Sequence, residues 1–190
     1  MMHEERNLLV VSGPSGIGKD TVVSYMIQNH PGIELAVSAT TRPARDYEVD
    51  GVHYHFLSVP QFEQWVAEGK LVEYINYAGN YYGTPKCEVK KRIEKGIVCV
   101  LVIEVNGAAN VKAMYPDCTT VFIIAPSMEE HERRLRSRAT EDEAGMRERM
   151  RIAEGEMAMA DTYDFQLVND DPKACAERLF NIVESRRTAD

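Results

Sequence analysis

The run Gly13-Pro14-Ser15-Gly16-Ile17-Gly18-Lys19-Asp20-Thr21 directly follows the apolar residues 8–11 and has the glycine and lysine spacing of a loop that cradles nucleotide phosphates. Its glycines let successive backbone N–H groups turn toward one point, Lys19 reaches the outer phosphates, and the helix that follows adds its positive end. The expected ligand is ATP. A glycine-rich turn that merely joins a strand to a helix would account for the glycines but has no use for the lysine. One position departs from the usual pattern. Where a Ser or Thr hydroxyl normally meets Mg²⁺, the residue after the lysine is Asp20, with Thr21 one further on. The metal is therefore expected to be held differently.

Two further clusters suit anions. Ser38-Ala39-Thr40-Thr41-Arg42-Pro43-Ala44-Arg45 sets two guanidinium groups beside hydroxyls, in a segment that Pro43 keeps from running on as regular helix. Arginine forks match a phosphate dianion, and the plain alternative is a solvated charged loop. Arg133, Arg134, Arg136 and Arg138, then Arg147, Arg149 and Arg151, flank the acidic Glu141-Asp142-Glu143. The chain as a whole carries 30 acidic against 22 basic side chains, a net charge of −8, so this basic clustering is not a consequence of composition. The same charge argues against wrapping a nucleic-acid backbone, which needs a basic surface. His53 and His55 read as neighbours on one face of a strand, but two histidines without a third ligand are more often structural than metal-binding.

The elements that must position these groups follow from periodicity. Apolar runs at 8–11, 97–103 and 121–125 are separated by helical patterns and read as buried parallel strands, giving an α/β fold. Ser127 with Glu130 has the spacing of a capping box, and Asp171-Pro172 opens a last helix with Cys175, Leu179, Ile182 and Val183 on its apolar face. Residues 144–161 read as one helix, with Met146, Met150, Ala153, Met157 and Ala160 as a stripe toward the core rather than a partner groove. Between 38 and 83 the character changes. His53-Tyr54-His55-Phe56 and residues 71–77 look like short strands around a helix starting near Pro60, with Phe62 and Trp65 as its core, so an inserted substrate-binding lobe is expected. At 190 residues and 44% apolar content the chain suits one domain with mobile parts, and it has neither repeats nor low-complexity stretches. Cys87, Cys99, Cys118 and Cys175 form no CxxC pair, mostly sit in apolar surroundings and read as buried free thiols in a reducing cytoplasm. No apolar run approaches the ~20 residues that span a bilayer, and the N-terminus lacks a signal core, so neither a membrane nor a targeted location is expected.

Further motifs come in a fixed order: Asp50-Gly51-Val52-His53-Tyr54-His55-Phe56, then Leu71-Val72-Glu73-Tyr74, then Gly79-Asn80-Tyr81-Tyr82-Gly83-Thr84-Pro85. Together with the phosphate loop and the Ser-x-Thr-Thr-Arg segment they closely resemble the guanylate kinase family over almost the whole chain. The resemblance implies a P-loop NTPase-type parallel sheet flanked by helices, with an inserted GMP-binding lobe and a helical lid, and transfer of the γ-phosphoryl of ATP to GMP or dGMP with Mg²⁺. It divides the single domain into a core (7–37, 85–133 and 153–190), a lobe (38–84) and a lid (134–152).

By the family pattern, Arg42, Arg45, Tyr54 and Tyr82 surround the GMP phosphate, and Ser38, Glu73 and Thr84 the guanine. Glu104 is placed with GMP as well. The nine loop residues with Arg134 and Asn169 take ATP, while Lys19, Arg42, Arg138 and Arg149 act on the transferring group; a turn or cap would explain an Asn at 169 equally well. Arg133, Arg136, Arg147 and Arg151 are expected on a solvated helix face. Chemistry supports the guanine assignment. A carboxylate at 73 accepts both N1–H and the 2-amino group of guanine, whereas adenine offers a lone pair at N1 and no 2-amino group.

The chain departs from the family at the acidic strand end, where Asp-x-Asp-x-Gln-Gly is replaced by Val102-Ile103-Glu104-Val105-Asn106-Gly107. An acid lost at Val102 coincides with one gained at Asp20, so Asp20 and Glu104 are the candidate groups near Mg²⁺. Two other readings are carried. A kinase of ribose 1,5-bisphosphate also resembles this family and often has Gly-Lys-Asp in its loop. A guanylate-kinase-like interaction domain without catalysis is the other, although such domains tend to have degraded phosphate loops. The expected partners are ATP and GMP alone, in a monomer or homodimer.

Overall fold

The structure is a computed structural model that describes residues 2–138 and 143–188; side chains at 2, 3, 138, 143 and 144 lie outside the description. In chain order its elements are α1 (Met2–Glu5), β1 (Leu8–Ser12), α2 (Lys19–Asn29), β2 (Ile33–Leu35), β3 (Ala39–Thr40), β4 (His55–Phe56), α3 (Val59–Ala67), β5 (Leu71–Tyr77) and β6 (Asn80–Pro85). Then follow α4 (Lys86–Ile93), β7 (Val98–Val102), α5 (Val105–Met114), β8 (Thr119–Ile124), α6 (Met128–Arg138), α7 (Glu143–Met157), β9 (Phe165–Val168) and α8 (Pro172–Thr188), with a 3-10 turn at Ala160–Thr162 before β9.

A five-stranded sheet, ordered β2-β7-β1-β8-β9 and parallel throughout, forms the centre. Its strands are apolar on both faces because helices cover both. Leu9, Val11, Val100, Val121 and Ile123 pack with Val22 and Met26 of α2 and with Leu179 and Val183 of α8. Leu8, Val10, Cys99 and Leu101 point the other way, onto Val89 and Ile93 of α4 and Val111 of α5. The period-2 alternation of β1 thus feeds two apolar layers. All three apolar runs read as parallel strands are present, as β1, β7 and β8. The edge strands β2 and β9 were not foreseen: one is three residues long with Glu34 at its centre, and the other alternates Phe165, Gln166, Leu167, Val168 at the sheet margin.

Four short strands, ordered β4-β3-β6-β5, make a second sheet from residues 39–85. Its own core is small: Ala39, Leu71 and fully buried Phe62, with Trp65 against them and Phe62 stacked on Tyr81 at 5.2 Å. Ser58 and Gln61 close a full capping box on α3. At α6 the Ser127 hydroxyl accepts from the Glu130 N–H at 3.1 Å, but the Glu130 carboxylate is engaged by Arg133 and Arg134. The helix read over 144–161 ends at Met157 and tightens into the 3-10 turn; Met146, Ala153 and Ala160 are buried, so the stripe does face the core. His53 and His55 do not share a strand. His53 sits in the turn before β4, where its Nδ1 accepts from the Val49 N–H at 3.0 Å, while His55 Nε2 lies 3.4 Å from Glu88. Among the described residues no group of three acidic, histidine or cysteine side chains could hold a metal. Where β6 runs into α4, a cavity of about 880 Å³ opens between the two sheets' helices, with Trp65, Lys70, Cys87 and Tyr115 on its wall. No described helix is long and apolar enough to cross a membrane.

Candidate active site

The phosphate loop joins β1 to α2. Gly13 has φ +144°, and a Cβ there would run into the Ile123 carbonyl of neighbouring β8. Only glycine lets the loop leave the sheet this close to its neighbour strand. Gly18, in the left-handed region, forms the N-cap of α2. Lys19 Nζ donates to the carbonyls of Gly13 at 2.6 Å and Pro14 at 3.1 Å, which holds the ammonium inside the curve of the loop. Buried Asn169 donates through Nδ2 to the Ile17 carbonyl at 2.8 Å; its Oδ1 is buried and has no hydrogen-bond partner among the described residues. An asparagine that pins a loop is a stronger account than a simple turn.

Across from the loop lies a cleft of about 590 Å³ whose wall includes Ser38, Tyr54, Glu73, Tyr82, Glu104 and Asp20. The structure therefore brings together side chains from the second sheet, the end of β7 and the start of α2. Glu73 on β5 is 8% exposed and is held by the Thr84 hydroxyl of β6, which donates to its Oε1 at 2.6 Å. Burial pushes the Glu73 carboxyl up; the Thr84 hydrogen bond opposes this, and the charge of Glu104 adds to it. Thr84 engages Glu73 through its N–H as well as its hydroxyl, no cation pairs with it among the described residues, and the side chain lines the cleft. Gly107, in the first turn of α5, makes this possible, because a Cβ there would sit 3.1 Å from Glu73 Oε2.

Val102 stands on the same wall as Asp20 and Glu104, so the position of the missing acid and that of the gained one face one space. The charge of Asp20 reaches Tyr54, whose phenol is raised chiefly by burial. Tyr54 and Tyr82 meet edge to face at 6.3 Å.

Arg42 is already engaged. Its guanidinium makes a two-pronged ion pair with Glu48, 2.8 Å on each prong, and lies 5.4 Å from the Tyr54 ring. Glu48 is held down at about 2, first by Arg42 and then by the Arg45 N–H. Glu48 has no distinguishing mark in the sequence, being one acid in a polar loop. Arg45 projects from that exposed loop and donates to the Tyr47 hydroxyl at 2.9 Å. In the second basic cluster, Arg133, Arg136 and Arg151 form exposed ion pairs with Glu130, Glu132 and Glu148, as expected of a solvated face. Arg134 is drawn inward: it binds Glu130 at 2.7 Å and reaches the Ile17 carbonyl at 3.4 Å. Arg149 is half-buried on α7, and the Arg138 side chain lies outside the described residues.

Two more groups at the loop were not marked by sequence reasoning. His131 of α6 is 1% exposed, with Nε2 2.8 Å from the Ser15 carbonyl. Glu156 near the end of α7 accepts from the Ser15 N–H; burial raises its carboxyl, and the charge of Lys19 lowers it.

With this geometry in hand, comparison with known proteins is specific. The guanylate kinase family model matches residues 5–186. A guanylate kinase of Gloeobacter violaceus is 48% identical over 175 residues, covering 92% of this chain and 85% of the relative. One from Rubrobacter xylanophilus is 43% identical, covering 93% and 92%. The crystal structure of guanylate kinase from Anaplasma phagocytophilum superposes with a TM-score of 0.76 at 31% identity, covering 96% of this chain and 86% of that one. A shikimate kinase from Bacteroides thetaiotaomicron, at 15% identity and a TM-score of 0.51, shares the fold alone. A match over 182 residues together with these relatives settles the family: the chain belongs to the guanylate kinases, ATP-dependent phosphotransferases built on a P-loop core.

Proposed function

We propose that this chain transfers the γ-phosphoryl of ATP to GMP or dGMP, giving ADP and the guanosine diphosphate, with Mg²⁺. The observation that carries the reading is the Glu73 carboxylate, fixed by Thr84 on the wall of the cleft that the start of α2 also borders. Guanine's N1–H and 2-amino group supply the two donors that such a carboxylate lacks. Arg42, Arg45, Tyr54 and Tyr82 take the GMP phosphate, and the Glu48 carboxylate keeps the Arg42 fork oriented until a phosphate shares it. On the donor side backbone N–H groups of the glycine loop, Gly16 and Gly18 among them, and Lys19 hold the phosphate tail. Arg134, Arg138 and Arg149 bring positive charge from the lid (134–152) and Asn169 borders the base. The lobe (38–84) and lid close over both nucleotides and keep water from the phosphoryl group, whose transfer depends chiefly on positioning and electrostatics.

Asp20 and Glu104 suit Mg²⁺, which in such kinases takes one or two carboxylates together with substrate phosphates. When bound it neutralises charge on the outer phosphates. Asp20→Ser is expected to weaken the apparent Mg²⁺ affinity in the steady-state rate several-fold, and an unchanged Mg²⁺ titration would remove Asp20 from this role.

The function itself is tested by coupling ADP release to a spectroscopic readout with GMP, AMP and ribose 1,5-bisphosphate as acceptors. Turnover with GMP alone is expected. A sugar phosphate outpacing GMP would favour the ribose 1,5-bisphosphate reading that Asp20 suggested; ATP binding without any acceptor turnover would favour an interaction domain. The acidic chain, its free thiols and its lack of a membrane-crossing helix among the described residues support a cytoplasmic enzyme.

A further inference from the structure

The face of α6 that carries His131, Arg134 and Leu135 lies along the phosphate loop residue by residue. His131 meets the Ser15 carbonyl, Leu135 covers Gly16 so closely that a Cβ there would sit 2.6 Å from its Cδ2, and Arg134 reaches the Ile17 carbonyl. The spacing i, i+3, i+4 puts all three on one helical face. A carbonyl only accepts, so His131 Nε2 carries the proton and donates.

In a trans peptide the C=O and the following N–H point in opposite directions across one rigid plane. A peptide that binds phosphate turns its N–H inward and therefore its carbonyl outward, the reverse of the Gly13 and Pro14 carbonyls that face Lys19. Fixing the Ser15 carbonyl from outside consequently aims the Gly16 N–H at the phosphates. The Asn169 and Arg134 contacts with the Ile17 carbonyl do the same for the Gly18 N–H.

We propose that His131 is a positioning residue of the donor site, which orients the Ser15–Gly16 peptide for phosphate binding and ties the loop to the helix that leads into the lid. Substrate never touches it. The alternative is a core histidine whose ring merely happens to be satisfied, and two features favour the positioning role. The side chain is buried one turn into α6, beside the apolar Leu135, where an apolar residue would pack without desolvation cost. Its partner is a carbonyl inside the functional loop rather than one of its own helix.

The inference rests on the ATP reading of the loop, and the test separates the two. ATP Kd is measured by calorimetry with Mg²⁺, and KM for ATP and for GMP by ADP release, in the wild type, His131→Leu, His131→Gln and His131→Asn. Leucine leaves the buried Ser15 carbonyl without a donor, and roughly tenfold weaker ATP binding with an unchanged KM for GMP is expected. The glutamine amide reaches the place of Nε2 and should restore ATP affinity to within about threefold; the shorter asparagine should behave like leucine. Wild-type ATP affinity in folded His131→Leu overturns the proposal, as does a loss shared equally by both nucleotides. If His131→Leu does not fold, equal ATP affinity in the asparagine and glutamine variants overturns it. Failure of the wild type to bind ATP instead defeats the functional reading above.

Discussion

Glu73→Ala is expected to lower kcat/KM for GMP by about a thousandfold or more while leaving the Kd for ATP within about twofold. The size follows from what the truncation leaves behind. Guanine would enter a cleft in which its N1–H and 2-amino group lose a shared acceptor, and polar sites discriminate by up to ~10⁴–10⁵ when groups go unpaired. Glu73→Gln keeps the shape but places an NH₂ where an acceptor is required, so most of the loss should persist. Calorimetry with each nucleotide separates the outcomes; equal losses for ATP and GMP would mean that Glu73 supports the fold and not the guanine site. The pH dependence is a second readout. Because burial raises the Glu73 carboxyl, protonation begins at a higher pH than for an exposed glutamate, and the protonated group cannot accept both donors. KM for GMP in the wild type should therefore climb as the pH falls toward that raised value. The glutamine variant should show no such limb. The corresponding stability effect has the opposite sense: an acid with a raised folded-state value binds its proton more tightly when folded, so protonating Glu73 stabilises the chain.

Lys19→Met is expected to reduce kcat by about 100- to 1000-fold, the usual cost of removing one preorganised electrostatic contact from the transition state. The Lys19 ammonium is held by two carbonyls of its own loop, and methionine cannot satisfy them or stabilise charge on the moving phosphoryl group. ATP affinity should change far less than the rate, since the loop's backbone N–H groups remain whatever the side chain at 19. Single-turnover measurements at saturating ATP and GMP isolate the chemical step. A rate within threefold of wild type would mean that another cation holds the outer phosphates.

The parts of the fold and site that could be read from the sequence were those written in contiguous residues. The phosphate loop is one unbroken run, and the three central-sheet strands foreseen are the ones buried on both faces. Asp20, Val102 and Glu104 could be linked because a missing charge and an extra charge are both visible in a sequence, and they do share a wall. Contacts made only by folding were not legible. Glu48 becomes the partner of Arg42 through a loop that returns on itself, and nothing marks it among its polar neighbours. His131 is one polar residue on a helix crowded with charge, although its spacing from Arg134 and Leu135 was the available signal. Gly107 looked like the end of a motif; its purpose emerges only when Glu73 approaches it. The short edge strands β2 and β9 were missed because neither is long enough to establish a period.

The four thiols differ sharply in their surroundings. Cys99, Cys118 and Cys175 are sealed in the interior, the first two pushed up to about 12 by burial, whereas Cys87 is exposed at the first turn of α4. The sole tryptophan, Trp65, lines the same cavity as Cys87 but belongs to α3, so the pair straddles the joint between the two sheets. A maleimide dye is therefore expected to label one place without prior mutagenesis, on the wall of the cavity that the native indole also lines.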